Sequence, residues 1–361
     1  MTNRKENPKT AVHSSFPHSS FVICFVILLP MDPIALARQL IDIESITGRE
    51  AAAADFIAQH LENLGYAVER MPVAQGRFNV VATPPQNASP PLFLSTHLDT
   101  VPPFIPFRED DANIYGRGSC DAKGIIAAQI TAAEQLRHSG TQCGLLFVVG
   151  EERDSLGAMV ANEHARGSRF LVNGEPTDNR LAIASKGALR VELTAHGKMA
   201  HSAYPELGES AIEKLLDALQ ALRTMEFPHN PDIGPSTMNI GIIEGGRATN
   251  VIPDFAKAQL LFRQVGPSEV LRQKIISAVG SRTQVDFVLD IPYMRFRTLP
   301  GFDTMTASFT TDIPKLTNWG EPLLLGPGSI HVAHTDREFL GKRELFEAIE
   351  LYVRIAKELL Q

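Results

Sequence analysis

Three apolar runs, each ending in an acid or an imidazole, constrain this chain more than any other feature. Residues 92–96 read as a buried strand that runs into His97-Leu98-Asp99, and 145–149 as another that runs into Gly150-Glu151-Glu152. A third, 170–172, leads to Asn173-Gly174-Glu175. Amphipathic or Ala-rich helical patterns at 51–64, closed by Gly65, and at 120–137 alternate with them. Strands alternating with helices give an α/β fold: a mixed, largely parallel sheet flanked by helices. Ligands of such sheets gather beyond the carboxyl ends of the strands, where these polar residues fall.

The middle of the chain has a different rhythm. A strand over 188–196, a helix over 208–223, strands over 237–244 and 255–263, a helix over 267–279 and a strand over 285–289 give the order βαββαβ. This is the ferredoxin-like arrangement, and it is expected to form an inserted domain over 187–290. The flanking parts, 31–186 and 291–361, then make one discontinuous domain that ends in a helix over 342–360. With 361 residues the chain is long enough for both cores.

The first thirty residues stand apart. Arg4, Lys5 and Lys9 precede an apolar run at 21–29, which resembles a signal peptide and is too short to span a bilayer. However, Met31-Asp32-Pro33 opens a helix over 34–43 with Asp32 as its cap, and a cleavage site at Ala35-Leu36-Ala37 would cut that helix. The expectation is an extension, 1–30, outside the fold of a cytoplasmic protein. Three cysteines, Cys24, Cys120 and Cys143, offer neither a paired framework nor a Cys-x-x-Cys metal motif, and fit reduced thiols. A net charge of −7 argues against a nucleic-acid binder. No stable membrane association is expected.

His97, Asp121, the pair Glu151-Glu152, Glu175 and His334 together carry chemistry that none carries alone. Carboxylates outnumber imidazoles and cysteine ligands are lacking, which favours an open, hydrolytic metal centre over a closed structural one. Asp121 has two oxygens with which to bridge two ions, and such a pair, about 3.5–4 Å apart, activates a shared water. Adjacent side chains diverge, so one of Glu151 and Glu152 suits a metal and the other a general base. Asp99, two residues beyond His97, is placed to orient the imidazole. Cys120 adjoins Asp121 and reads as a small buried residue.

Five stretches then identify a resemblance. They are Ser95-Thr96-His97-Leu98-Asp99-Thr100-Val101-Pro102, Tyr115-Gly116-Arg117-Gly118-Ser119-Cys120-Asp121-Ala122-Lys123-Gly124, Gly150-Glu151-Glu152, Gly174-Glu175-Pro176-Thr177 and His334-Thr335-Asp336-Arg337-Glu338. From Met31 to its end the chain resembles the di-zinc amidohydrolases and peptidases. That family includes acetylornithine deacetylase, succinyl-diaminopimelate desuccinylase, aminoacylase and glutamate-releasing carboxypeptidases. The resemblance implies two divalent ions per chain, zinc or cobalt. It puts His97, Asp121 and Glu175 on one ion and Asp121, Glu152 and His334 on the other. His331 is a rival for the last position, but the His-x-x-x-Glu spacing matches His334. Glu151 then takes the role of general base and Asp99 that of the orienting acid.

Within the insertion, Gly197-Lys198-Met199-Ala200-His201-Ser202-Ala203 resembles the family's dimerisation-domain loop, which implies a homodimer and an oxyanion-stabilising role for His201. By the same resemblance Asn250, Arg263 and the Gly326-Pro327-Gly328 loop bind substrate, Arg263 through a carboxylate. The implied reaction is hydrolysis of the amide of an N-acyl amino acid, most like acetylornithine deacetylase. Desuccinylation, or dipeptidase or carboxypeptidase action on a small peptide, is the alternative within the family. A non-catalytic binding module on the same scaffold is the alternative of another class, although neither Glu151 nor any ligand is missing.

Overall fold

The computed structural model describes residues 1–2 and 31–361. The apolar run at 21–29, the expected extension over 1–30 and Cys24 fall, but for residues 1–2, outside the described residues. Helix α1 (Pro33–Ile41) starts as expected, with the Asp32 carboxylate accepting the Ile34 N–H at 2.9 Å.

A six-stranded sheet organises the first and last parts of the chain. Its order is Ala67–Ala74, Arg77–Thr83, Gly144–Val148, Leu92–His97, Phe170–Asn173, Glu321–Leu324. The last four run parallel, and the first two pair antiparallel. Every residue of Gly144–Val148, Leu92–His97 and Phe170–Asn173 is buried, because both sheet faces are covered. Helix α2 (Ala51–Asn63) packs on the antiparallel pair. Helix α3 (Lys123–His138), buried on nearly all sides, lies between the sheet and helices α1 and α7 (Lys342–Leu360). On the opposite face, Trp319 packs edge-on against Phe93, with ring centroids 4.8 Å apart, beside Ala158 and Ala161 of α4 (Leu156–Glu163). Such an aromatic pair adds about 0.5–1.5 kcal/mol beyond its area burial.

The sheet of the middle region has the order Thr237–Gly245, Phe255–Gln264, Gly187–His196, Gln284–Ile291, antiparallel throughout. That is the ferredoxin-like order. Helices α5 (Ala211–Thr224) and α6 (Ser268–Val279) cover one face, with a core of Leu189, Val191, Leu219, Leu260, Phe262 and Ile275. The other face is left open.

Of the boundaries that differ from expectation, two have an identifiable hydrogen-bonding reason. Helix α5 begins at Ala211 rather than 208, because Ser210 caps it by accepting the Glu213 N–H at 3.2 Å. Helix α3 begins at Lys123, so Asp121 precedes the helix and does not sit in its first turn. The amides of Cys120 and Asp121 both donate to Glu338 Oε1 at 3.2 Å, a partner from 217 residues downstream that holds them out of the helical ladder. Strand Ala67–Ala74, in which the adjacent Glu69 and Arg70 are both exposed, was not legible as apolar periodicity.

Candidate metal centre

His97, Glu175 and the pair Glu151-Glu152 reach one place because three adjacent parallel strands end there. Asp121 enters from the turn before α3, and His334 from the loop that follows Glu321–Leu324. His97 Nε2 lies 2.9 Å from Asp121 Oδ1 and 3.9 Å from Glu175 Oε2. His334 Nε2 lies 3.4 Å from Asp121 Oδ2 and 3.0 Å from Glu152 Oε1. The two oxygens of Asp121 thus face two different imidazoles. Ligand atoms of His97, Asp121 and Glu152 lie within 4.8 Å of one another. His331, His334 and Glu175 are not in this narrower group; His334 and Glu175 join it through the contacts just given. His334 holds φ at +63°, a conformation uncommon outside glycine and one that functional sites retain when the surroundings enforce it.

The electrostatics are those of acids crowded out of water. Burial, reinforced by neighbouring carboxylates, pushes Glu151 and Glu175 well above the usual carboxylate range, and burial also raises Glu152. Asp121 is buried too, yet hydrogen bonds from His334 and His97 hold it well below that range. Its contact, with that of Glu152, lifts His334 up to about 10. Burial opposes a charged His97, but Asp121 and the other acids around it prevail and hold it well above the ordinary imidazole value. Glu175 Oε1 is buried without any hydrogen-bond partner. An unpaired buried carboxylate oxygen beside two more acids and two imidazoles fits a divalent-cation site with oxygen and nitrogen donors.

The Asp99 carboxylate has several partners besides His97. Its carboxylate accepts the backbone N–H groups of Gly150, Glu151 and Glu152 at 3.0, 3.1 and 3.2 Å, and the Thr47 hydroxyl at 2.8 Å. His97 Nδ1 sits 2.9 Å from the Asp99 backbone carbonyl and 3.6 Å from its carboxylate. Gly150 allows the loop to turn: its φ is +85°, and a Cβ there would lie 2.9 Å from Arg77 Nη2. Arg77 is itself held by buried Glu50 through two bonds of 2.9 and 2.6 Å.

Two buried acids near the site were not singled out from the sequence. Glu338 had served only as a spacing marker after His334; it is buried, pairs with Arg117 at 2.7 Å and anchors the Asp121 amide. Its motif position was the available signal. Replacing it (Glu338→Ala) strands a buried guanidinium and two amides, so we expect a loss of about 3–5 kcal/mol. Calorimetric unfolding checks this, and a loss under about 1 kcal/mol would count against it. Asp312 is buried, neither of its oxygens makes a well-formed hydrogen bond although Ser155 lies alongside, and burial pushes it up to about 7. It follows two threonines in an irregular segment and gave no sequence signal.

A cavity of about 580 Å3 opens onto the cluster. Asp121, Glu151, Glu152, Glu175 and His334 line it on one side, and Arg263 of the middle sheet is among the residues that line it elsewhere. His201, Asn250, Gly326 and Gly328 are not among the lining residues. His201 and Asn250 sit on two exposed segments that run side by side, where the Ser202 N–H donates to the Asn250 carbonyl and His201 pairs in register with Val251. Gly326 and Gly328 pack tightly behind the site: a Cβ would meet the Glu175 carbonyl at 2.5 Å in one case and Cys120 Cβ at 2.5 Å in the other. Cys120 is buried, with Sγ 3.7 Å from Glu338 Oε1.

Known proteins give this geometry a context. Residues 183–282 match the family profile of the peptidase dimerisation domain, M20_dimer. A peptidase M20 domain-containing protein of Schizosaccharomyces pombe is 38% identical over 334 residues, covering 89% of this chain and 83% of that one. A probable carboxypeptidase of Aspergillus clavatus is 38% identical over 369 residues, covering 90% and 82%. Among solved structures, the aminopeptidase PepT of Bacillus cereus superposes with a TM-score of 0.76 at 21% identity, covering 91% of this chain and 98% of that one. A dinuclear metal-binding M20 peptidase of Bacillus subtilis gives 0.67 at 16%, covering 91% and 97%. These two share the fold. At 38% identity over more than four-fifths of its relatives' lengths, the chain belongs to the M20 peptidase family, metal-dependent hydrolases of amide and peptide bonds.

Proposed function

We propose that this chain releases an amino acid with a free α-carboxylate from an N-acyl or short peptidyl group. The observation that carries the reading is Asp121, whose two oxygens face His97 and His334 separately, at 2.9 and 3.4 Å. In this reading His97, Asp121 and Glu175 hold one divalent ion, and Asp121, Glu152 and His334 hold the other. Zinc suits the donors, and cobalt is the alternative. When bound, the pair supplies Lewis acidity to water and to the scissile carbonyl. Glu151, in the cavity wall with its N–H fixed by Asp99, takes a proton from the attacking water and passes it to the departing nitrogen. Arg263 receives the substrate's α-carboxylate.

Acetylornithine-type deacetylation is the deacylase form of this proposal. C-terminal residue release is the peptidase form, favoured by the carboxypeptidase name of the Aspergillus relative. The same proposal divides the chain into a catalytic part, 31–186 with 291–361, and an insertion, 187–290, supported by the insertion's own core. It makes the protein a homodimer through that insertion. His201 and Asn250, exposed and away from their own cavity, then serve the partner's site, with His201 as an oxyanion donor. Ile242 and Ile243, 47% and 56% exposed on the edge strand, support such an interface. A cytosolic setting goes with it, in keeping with the free thiols Cys120 and Cys143; no helix among the described residues is long and apolar enough to cross a membrane.

The deciding experiment is an assay of zinc- or cobalt-loaded protein against acyl-amino acids and dipeptides, with metal analysis alongside. We expect two ions per chain and turnover in at least one substrate class. Fewer than one ion per chain and no turnover would instead support a binding module.

A further inference from the structure

The open face of the middle sheet carries charges that no ion pair among the described residues engages. Arg190 lies directly opposite Leu261 in the antiparallel pairing, and Arg263 is two residues further along the same neighbouring strand. The two arginines are therefore diagonal neighbours on one face, with Cβ atoms on the order of 7–8 Å apart. Both line the cavity that holds the metal cluster, and Lys315, from the short helix Ile313–Lys315, lines it too. Among the described residues none of these three side chains makes an ion pair or a side-chain hydrogen bond.

The acids that might have served them are otherwise engaged. Glu192 shares the face with Arg190 but is bound by Lys257 at 2.7 Å. Asp290 lies opposite Leu189 on the helix-covered face, where Arg272 of α6 binds it at 2.7 Å. Arg153, a fourth cation in the wall, already has Asp154 at 3.5 Å. Arg263 is half-buried, and burial depresses its basicity because no carboxylate compensates. Like charges held this close without counter-ions are unfavourable in the free protein, and an anionic ligand relieves them. One α-carboxylate satisfies Arg263. It leaves Arg190 and Lys315 unmatched, in a cavity whose lining also includes Leu261, Leu289, Phe309 and Ile330 together with the acids of the metal cluster and Asp154.

We propose that Arg190 and Lys315 form a second carboxylate subsite, so that the chain prefers substrates with two separate acidic groups. This rests on the function proposed above and narrows it: an acidic substrate is favoured over a neutral one, and an ornithine derivative, with its ammonium group, is the least suited. The second acid belongs to the amino-acid side chain or to the acyl group.

The test compares kcat/KM for N-acetyl-glutamate, N-succinyl-norvaline, N-acetyl-norvaline and N-acetyl-ornithine on the zinc-loaded protein. We expect at least one of the two diacids to exceed N-acetyl-norvaline by about tenfold or more, as charge-assisted pairing of one carboxylate provides. Which one does so locates the second acid. Arg190→Ala and Lys315→Ala should each reduce that ratio severalfold, and Arg190→Lys should restore most of it. Preference for the neutral or cationic substrate, or a ratio unmoved by both alanine variants, overturns the proposal. Binding of glutarate against butyrate by calorimetry separates it from the reaction itself. If no substrate turns over, the proposed function fails. The subsite still stands if glutarate binds more tightly than butyrate and loses that advantage in Arg190→Ala, and falls if the two bind equally.

Discussion

Glu151→Gln is expected to lower kcat by about 10²–10⁴-fold, the range that a positioned general base contributes, while metal content and unfolding temperature stay at wild-type values. The replacement keeps the size of the side chain and removes only its capacity to hold a proton. The surroundings of Glu151 support the proposed role: burial and the acids around it raise its proton affinity, and its backbone N–H is fixed by Asp99 at 3.1 Å. The variant should therefore bind substrate without turning it over. Retention of more than a tenth of wild-type kcat, with both ions in place, would remove Glu151 from the role of base and direct attention to another acid.

Asp99→Ala should be nearly as severe, by a different route. Its carboxylate accepts three consecutive backbone N–H groups and the Thr47 hydroxyl. Each buried donor left unpaired costs about 1–3 kcal/mol, so the loss of stability should be about 3 kcal/mol or more. The loop thus freed carries both Glu151 and Glu152. Metal affinity should fall by about 10–100-fold, as when the residues that orient ligands are removed, and kcat should fall with it. Asp99→Asn keeps one acceptor oxygen and should lie between the two proteins. Paired measurements of metal dissociation and chemical unfolding check this. An alanine variant that weakens metal binding with no loss of stability would reduce Asp99 to an orienting partner of His97, the simpler role that its two-residue spacing suggests.

How much of the site was legible in advance depends on how local its causes are. His97, Glu151, Glu152 and Glu175 could be read because each lies within three residues of the end of a short strand-like run, and a buried parallel strand imposes such a run on its own sequence. The ferredoxin-like order of the middle region was legible for a similar reason, since periodicity distinguishes its helices from its strands. The start of α3 was not legible. Whether Cys120 and Asp121 join that helix is decided by Glu338, a hydrogen-bond acceptor more than 200 residues away. Asp312 gave no pattern at all, because its isolation comes from what fails to surround it.

By itself the sequence determined the fold class, the ends of the strands and the kinds of donor atom offered to a metal. These follow from interactions between near neighbours in the chain: alternation, capping and the cost of burying charge. Only the tertiary structure decided that Asp121 faces two imidazoles at once, that Asp99 supports the loop of Glu151 and Glu152, and that Arg190 and Arg263 stand together on one face with no ion-pair partner among the described residues. Each of these depends on strand register and on packing between distant segments, where one residue of slip would turn every side chain to the opposite face.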